Sequence, residues 1–79
     1  MNKKYKVKEG KVFYFEAMTA YMDEPMVGVA SAGDEVHIRG GLVDVIRIVN
    51  NSKVVYPTVN YPWVVEKAAM EGKLEEIVS

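Results

Sequence analysis

Apolar and polar residues alternate in short runs over the first half of the chain, which is the pattern of β-strands that place one face against a core. The first two runs span residues 4–8 and 11–15. Gly10 lies between them and can adopt the positive φ of a tight turn. We therefore expect residues 3–16 to form a β-hairpin.

The strongest strand signal lies at residues 42–49, where apolar residues occupy both parities. That pattern is typical of a central strand with both faces covered. Asn50-Asn51 suits a type I′ turn because asparagine tolerates positive φ, so residues 53–56 are expected to pair back. Pro57 then ends this strand or places its end at a sheet edge. Two shorter strands are expected before the strand at residues 42–49, at residues 26–30 and 35–39.

We expect the hairpin of residues 42–56 to be the stability centre of the protein. Burial of apolar side chains is the dominant favourable term in folding, and this hairpin contains the strongest strand signal of the sequence. Three of its branched residues are expected to be mostly buried: Val45, Ile46 and Ile48.

The apolar spacing changes from that of a strand to that of a helix after residue 60. Five residues at helical spacing form one apolar stripe: Tyr61, Val64, Val65, Ala68 and Ala69. Asn60 is the expected N-cap, and Pro62 fits the first turn, where an N–H has no helical partner to lose. Gly72 fits the position just after the helix. Leu74 and Ile77 are expected to anchor a short extended tail to the core.

Five or six short strands followed by one helix predict an α+β fold that is mostly β. We expect a small twisted antiparallel sheet, or a partly open SH3-like barrel, with one C-terminal helix and a single domain over residues 1–79. The turn at 32–34, followed by a strand and a long hairpin, resembles SH3-like small barrels over residues 30–60. The composition, 49% apolar and 27% charged, is that of an ordinary globular protein.

The chain has no cysteine, which excludes disulfides, thiolate zinc sites and cysteine nucleophiles. Small secreted domains are usually stapled by disulfides, so we expect a reducing, cytoplasmic location. No apolar stretch follows the basic N-terminal residues, as it would in a signal peptide. No apolar run approaches the roughly 20 residues of a membrane span, so no membrane partner is expected.

No combination of residues indicates catalysis or a bound metal. His37 is the only histidine, and the strand pattern places it beside Glu35 and Arg39 on a solvent-facing side. Adjacent acidic residues occur beside turns or near the end of the sequence, where solvated charge is the usual state. Gly40-Gly41 precedes a strand and not a helix, so it is not a phosphate-binding loop. We expect a protein that is not an enzyme and that holds no cofactor and no metal.

Charge is distributed unevenly, although the net charge is only −1. Residues 1–15 carry +4, and residues 16–35 carry −5. One interpretation is a charged edge strand that prevents aggregation. The other is a binding site for single-stranded nucleic acid or RNA, in which lysines contact phosphates and tyrosines stack on bases. Its candidate residues are Lys4, Tyr5, Lys6, Lys11 and Tyr14.

Aromatic residues around the start of the helix indicate a different kind of site. Tyrosine and tryptophan are frequent anchors of protein interfaces, and the expected anchors here are Tyr56, Tyr61 and Trp63. We therefore expect a small non-catalytic binding module or regulator that acts through contacts with a protein partner. Two alternatives stay open: nucleic-acid binding, and a homo-oligomer that encloses a small ligand at its interfaces.

We also expect self-association, most simply as a twofold dimer, because a small β-rich chain leaves strand edges and apolar surface open. The lysines of the first strand protect that edge, so the contact is expected near residues 17–29 or 56–63. Methionines in the region from Met18 to Met26 suit an adaptable interface.

Overall fold

The computed structural model describes residues 2–17 and 26–78. These residues form seven strands and one helix. In chain order they are β1 (Asn2–Val7), β2 (Val12–Ala17), β3 (Met26–Ser31), β4 (Glu35–Arg39), β5 (Leu42–Val49), β6 (Ser52–Pro57), α1 (Pro62–Met70) and β7 (Leu74–Glu76).

The strands form two antiparallel sheets, which we call sheet A and sheet B. Sheet A has five strands in the order β6-β5-β4-β1-β7, and sheet B pairs β2 with β3. Within the described part of the chain the strands do not close into a barrel. The predicted α+β, mostly β fold with a C-terminal helix is therefore confirmed as small antiparallel sheets and not as an SH3-like barrel. The strand beyond the predicted ones is β7, which forms where an extended tail was expected.

The predicted hairpin of residues 3–16 is wrong. β1 pairs with β4, where Tyr5 lies opposite Val36, and on its other side with β7. β2 pairs instead with β3. Just after β1, the N–H of Lys8 donates to the carbonyl of Lys73, so the chain is still bound to sheet A when it turns. The alternation of apolar and polar residues shows which face of a strand is buried, but it does not show which strand pairs with it.

The core lies between the two layers. Strand register places alternate residues of β1, β4 and β5 on the inner face of sheet A, toward sheet B and α1. The buried apolar residues come from both layers: Tyr5, Val7, Val36, Ile38, Val43, Val45 and Leu74 from sheet A, Phe13, Phe15 and Ala30 from sheet B, and Val65 and Ala68 from α1. The outer face of sheet A and the outer face of sheet B therefore point in opposite directions.

The β5–β6 hairpin has the turn that its sequence predicts, because Asn50 and Asn51 have φ values of 51° and 65°. Val45 is fully buried, and Ile46 is 8% exposed. Ile48 is 60% exposed, so its predicted burial is wrong. β4 pairs with β5 only as far as Ile46, and Ile48 therefore lies beyond the strand that would cover its flank.

Helix α1 begins with Pro62, as expected, but its N-cap is Tyr61, without a side-chain hydrogen bond. The predicted cap, Asn60, bonds elsewhere: its Oδ1 accepts the N–H of Glu16 in β2 at 2.8 Å. A tertiary contact thus takes the side chain that could have capped the helix. Gly72 follows the helix with a φ of 80°, which confirms its predicted place. At nine residues α1 is too short to cross a membrane, and the described residues contain no longer helix.

Ile46→Ala is expected to lower the free energy of unfolding by about 2–5 kcal/mol, through lost burial and the cavity left behind. Ile48→Ala is the matched control, because it removes the same atoms from the same face of β5 where the side chain is mostly exposed. Its effect should stay below about 1 kcal/mol. Urea denaturation measures both, and equal losses would contradict the burial of Ile46.

Candidate functional site

A carboxylate–guanidinium pair joins the two sheets. Asp34 lies in the turn between β3 and β4 and is 8% exposed. Its Oδ2 accepts hydrogen bonds from Nε and Nη2 of Arg47 at 3.2 and 3.1 Å, and from the N–H of Ser31 at 3.0 Å. Arg47 also donates through Nη2 to the carbonyl of Val29 at 2.6 Å. Because Arg47 lies on β5 and Val29 on β3, one side chain connects sheet A to sheet B.

The same contacts occupy part of one edge of sheet B. In an antiparallel strand the N–H and C=O of one residue point to the same side, so those of Val29 and Ser31 face away from β2. Arg47 binds the C=O of Val29, and Asp34 binds the N–H and the C=O of Ser31, so these three groups are not open to another strand. Hydrogen bonding to Asp34 raises the pKa of Arg47, so the guanidinium stays charged throughout the ordinary pH range.

The rings of Tyr56 and Phe15 pack next to the Asp34–Arg47 pair. The Arg47 guanidinium lies over the ring of Tyr56, 5.6 Å from its centroid, and the Tyr56 ring lies 6.2 Å from that of Phe15. These three side chains and β3 enclose a shallow apolar pocket of about 230 Å³, which we call the β3 pocket. Tyr56 is half-buried. This predicted partner-binding residue therefore contributes to the packing between the sheets more than to the outer surface.

Tyr61 and Trp63, predicted as anchors of a protein interface, both project into solvent and are 67% and 60% exposed. Met70 is 89% exposed and lies seven residues after Trp63, so it projects from the same side of α1 two turns later. Val65 and Ala68 bury the opposite side of the helix. Tyr61, expected on the same apolar stripe as Val65 and Ala68, is the N-cap residue and is exposed instead. We call the three exposed side chains Tyr61, Trp63 and Met70 the helix surface.

The residues predicted for nucleic-acid binding do not form one surface. Tyr5 is 4% exposed on the inner face of sheet A, so its ring lies in the core and not on a surface where a base could stack. Lys4 and Lys6 lie on the outer face of sheet A. Tyr14, 62% exposed, lies on the outer face of sheet B, which points the opposite way. Lys11 is exposed in the turn before β2.

His37 lies on the outer face of sheet A, as predicted, but it is half-buried and not open to solvent. Its Nε2 lies 2.7 Å from Oε1 of Glu35, and its cross-strand neighbours are Lys4 and Asp44. Neither cross-strand neighbour carries a hydroxyl that the histidine could activate. Among the residues that the structure describes, no three acidic, histidine or cysteine residues are grouped so as to hold a metal ion.

Sequence reasoning missed the Asp34–Arg47 pair. The signal was the position of Arg47, a charged residue inside the strand that the sequence indicates most strongly, residues 42–49. A guanidinium on the inner side of such a strand needs a buried acceptor. Asp34 follows Gly33 in a turn, and this position by itself indicates a solvated side chain.

No protein-family model, curated protein or solved structure matches this chain. The surfaces of the chain itself are therefore the basis for assigning a function.

Gly28→Ala is expected to lower the free energy of unfolding by about 1–3 kcal/mol through overpacking. The added Cβ would lie within 3 Å of three atoms of the Phe15 ring, which crosses β3 where a side chain would stand. Gly41→Ala is the control, because its Cβ meets no atom within 4 Å and no positive φ is required there. Thermal unfolding compares the two. A fully tolerated Gly28→Ala would show that the ring does not cross β3 at this point.

Arg47→Met is expected to lower the free energy of unfolding by about 1–3 kcal/mol, because Asp34 would stay buried without its charged partner. This range allows for solvent screening, since the Arg47 side chain is 35% exposed. Arg39→Met is the matched control: Arg39 is 70% exposed and lies 3.6 Å from Asp44. It should change stability by no more than about 0.5 kcal/mol. Urea denaturation measures the free energy of unfolding of both variants. Similar losses of stability in the two would contradict a special role of the Asp34–Arg47 pair.

Proposed function

We propose that this protein is a small, non-catalytic, cytoplasmic binding module or regulator that acts through contact with a protein partner, and that the helix surface is its contact site. The exposure of Trp63 supports the proposal. It is the only tryptophan of the chain, and it lies 60% exposed on α1 and not in the core. Tryptophan and tyrosine contribute most of the binding energy at many protein interfaces. The absence of cysteine supports the cytoplasmic location.

The helix surface has the spacing of a helix that binds in a groove. Trp63 and Met70 stand at positions i and i+7 of α1, and Tyr61 precedes the first turn. Such anchors insert into apolar grooves of partner proteins. Met70 adds a flexible thioether that adapts to the shape of the groove. We infer that the partner presents an apolar groove that accepts the Trp63 side chain.

The nucleic-acid alternative has less support from the geometry. Lys6 has Glu35 and Glu75 as cross-strand neighbours, and these acids reduce the local positive charge. The one exposed tyrosine of that set, Tyr14, lies on the opposite side of the molecule. A homo-oligomer that encloses a small ligand has one favourable feature, the apolar β3 pocket.

Trp63→Ala and Tyr61→Ala are expected to reduce capture of protein partners from a native lysate at least tenfold, which corresponds to about 1.4 kcal/mol. Their free energy of unfolding should change little, because both side chains are mostly exposed. Leu42→Ala is the control, since Leu42 is 58% exposed on the outer face of sheet A. It should capture the same partners as the unmodified protein.

The same assay separates the alternatives. A variant with Lys4, Lys6 and Lys11 replaced by glutamine should fold and bind normally, because exposed charges contribute little to stability and no carboxylate is added between Glu35 and Glu75. Loss of binding in this lysine variant alone, together with sensitivity to nuclease and steep weakening by salt, would replace the protein partner with a nucleic acid.

A further inference from the structure

Sheet B is apolar on both of its faces. Its inner face carries the buried residues Phe13, Phe15 and Ala30. Its outer face carries four residues that are 38–68% exposed: Val12, Tyr14, Val27 and Val29. A strand with one face in water normally alternates apolar and polar residues, and β1 does so, with Lys4 and Lys6 on its outer face. β2 and β3 instead have the composition of strands that are covered on both sides.

The outer face of sheet A is less suited to being covered, although it also exposes apolar residues. Arg39 stands opposite Leu42, and Lys53 stands opposite Ile48. A partner on this face would remove these charges from water, which is unfavourable without new counter-charges. Among the described residues of β2 and β3, the outer face of sheet B carries one charged residue, Glu16.

Two neighbouring segments lie beside sheet B. The N–H of Val59 donates to the carbonyl of Glu16 at 2.8 Å, so Val59, 44% exposed, lies beside β2. Further along β2, Val12 and Tyr14 share a shallow groove with Lys67 of α1. We call the five apolar residues of this region the sheet B surface: Val12, Tyr14, Val27, Val29 and Val59.

The area of the sheet B surface matches what a dimer needs. Its five side chains expose roughly 400 Å² of apolar area, which lies within the range of the largest patches that monomers leave open. Protein interfaces are only about 56–65% apolar, so this patch corresponds to an interface of roughly 600–700 Å² on each partner, which is at the lower end of the standard size.

We propose that a second copy of this chain covers the sheet B surface in a twofold dimer. The twofold axis lies between the two copies, parallel to sheet B and perpendicular to its strands, at the level of the Tyr14–Val29 pair. This axis stacks Tyr14 and Val29 on the same residues of the second copy. It also carries Glu16 of each copy over Val12 of the other, toward the groove that Lys67 lines.

This arrangement provides Glu16 with an opposite charge. Neither Glu16 nor Lys67 forms an ion pair with any residue that the structure describes. Glu71, which lines the same groove, is already paired with Lys73 at 3.3 Å. Lys67 is therefore the base left to meet Glu16 of the second copy, and symmetry makes the contact twice. The proposal is independent of the helix surface, so Trp63→Ala should leave the dimer intact.

A charge exchange tests both the surface and the symmetry. In sedimentation equilibrium at about 100 µM the unmodified protein should be a dimer, because an interface of this size allows a dissociation constant below that concentration. Glu16→Lys and Lys67→Glu should each weaken dimerisation at least tenfold, because each places like charges together twice. An equal mixture of the two variants should recover the dimer, since each mixed pair then has two opposite-charge contacts. Misfolding of either variant could not produce this recovery.

Two valines provide the control for the face that is used. Val27→Lys, on the sheet B surface, should give a monomer, whereas Val55→Lys, 52% exposed on the outer face of sheet A, should remain a dimer. A monomeric unmodified protein, a dimer that only Val55→Lys disrupts, or a mixture that stays monomeric would each overturn the proposed arrangement.

Discussion

One buried carboxylate organises the polar contacts that join sheet B to sheet A. Asp34 would be strongly unfavourable in this position without a charged partner, and Arg47 supplies it from the neighbouring layer. The guanidinium is thereby held over the ring of Tyr56, and Phe15 of sheet B packs beside that ring. Gly28 then has to be a glycine, because the Phe15 ring occupies its side-chain space. Polar and aromatic contacts between the layers therefore form one connected unit.

Features that depend on local chemistry could be predicted from the sequence, and features that depend on distant partners could not. Asn50 and Asn51 indicate their turn because few residue types tolerate positive φ, and Gly72 indicates the helix end for the same reason. The neighbours of β1 are set by pairings across some 30 and 70 residues, for which local alternation carries no information. Asn60 has the right side chain for a cap, but the backbone of β2 takes it.

The candidate sites divide along the same line. Tyr61 and Trp63 were predicted as anchors from residue type, and the structure places both in solvent. Tyr56 has the same type and a similar sequence position, but the Asp34–Arg47 pair draws it into the packing between the sheets. Val27, Val29 and Val59 of the sheet B surface fall within the segments 17–29 and 56–63, where a contact between copies was expected, but parity shows only that Val27 and Val29 share a face. Whether a second layer covers that face depends on the placement of whole sheets.

The position of β1 between β4 and β7 has a consequence for the nascent chain. β1 emerges from the ribosome well before β4, and its second neighbour emerges about 70 residues after it, at synthesis rates of about 5–20 residues per second. Until β4 and β7 have been synthesised, the backbone N–H and C=O groups of β1 lack their native partner strands and are open to strands of other molecules. Lys4 and Lys6 place positive charge on the face of β1 that is exposed to solvent in the folded protein. Charged side chains disfavour pairing between strands of different molecules. The lysine-rich strand can thus protect the protein at a stage of its synthesis that leaves no trace in the native contacts.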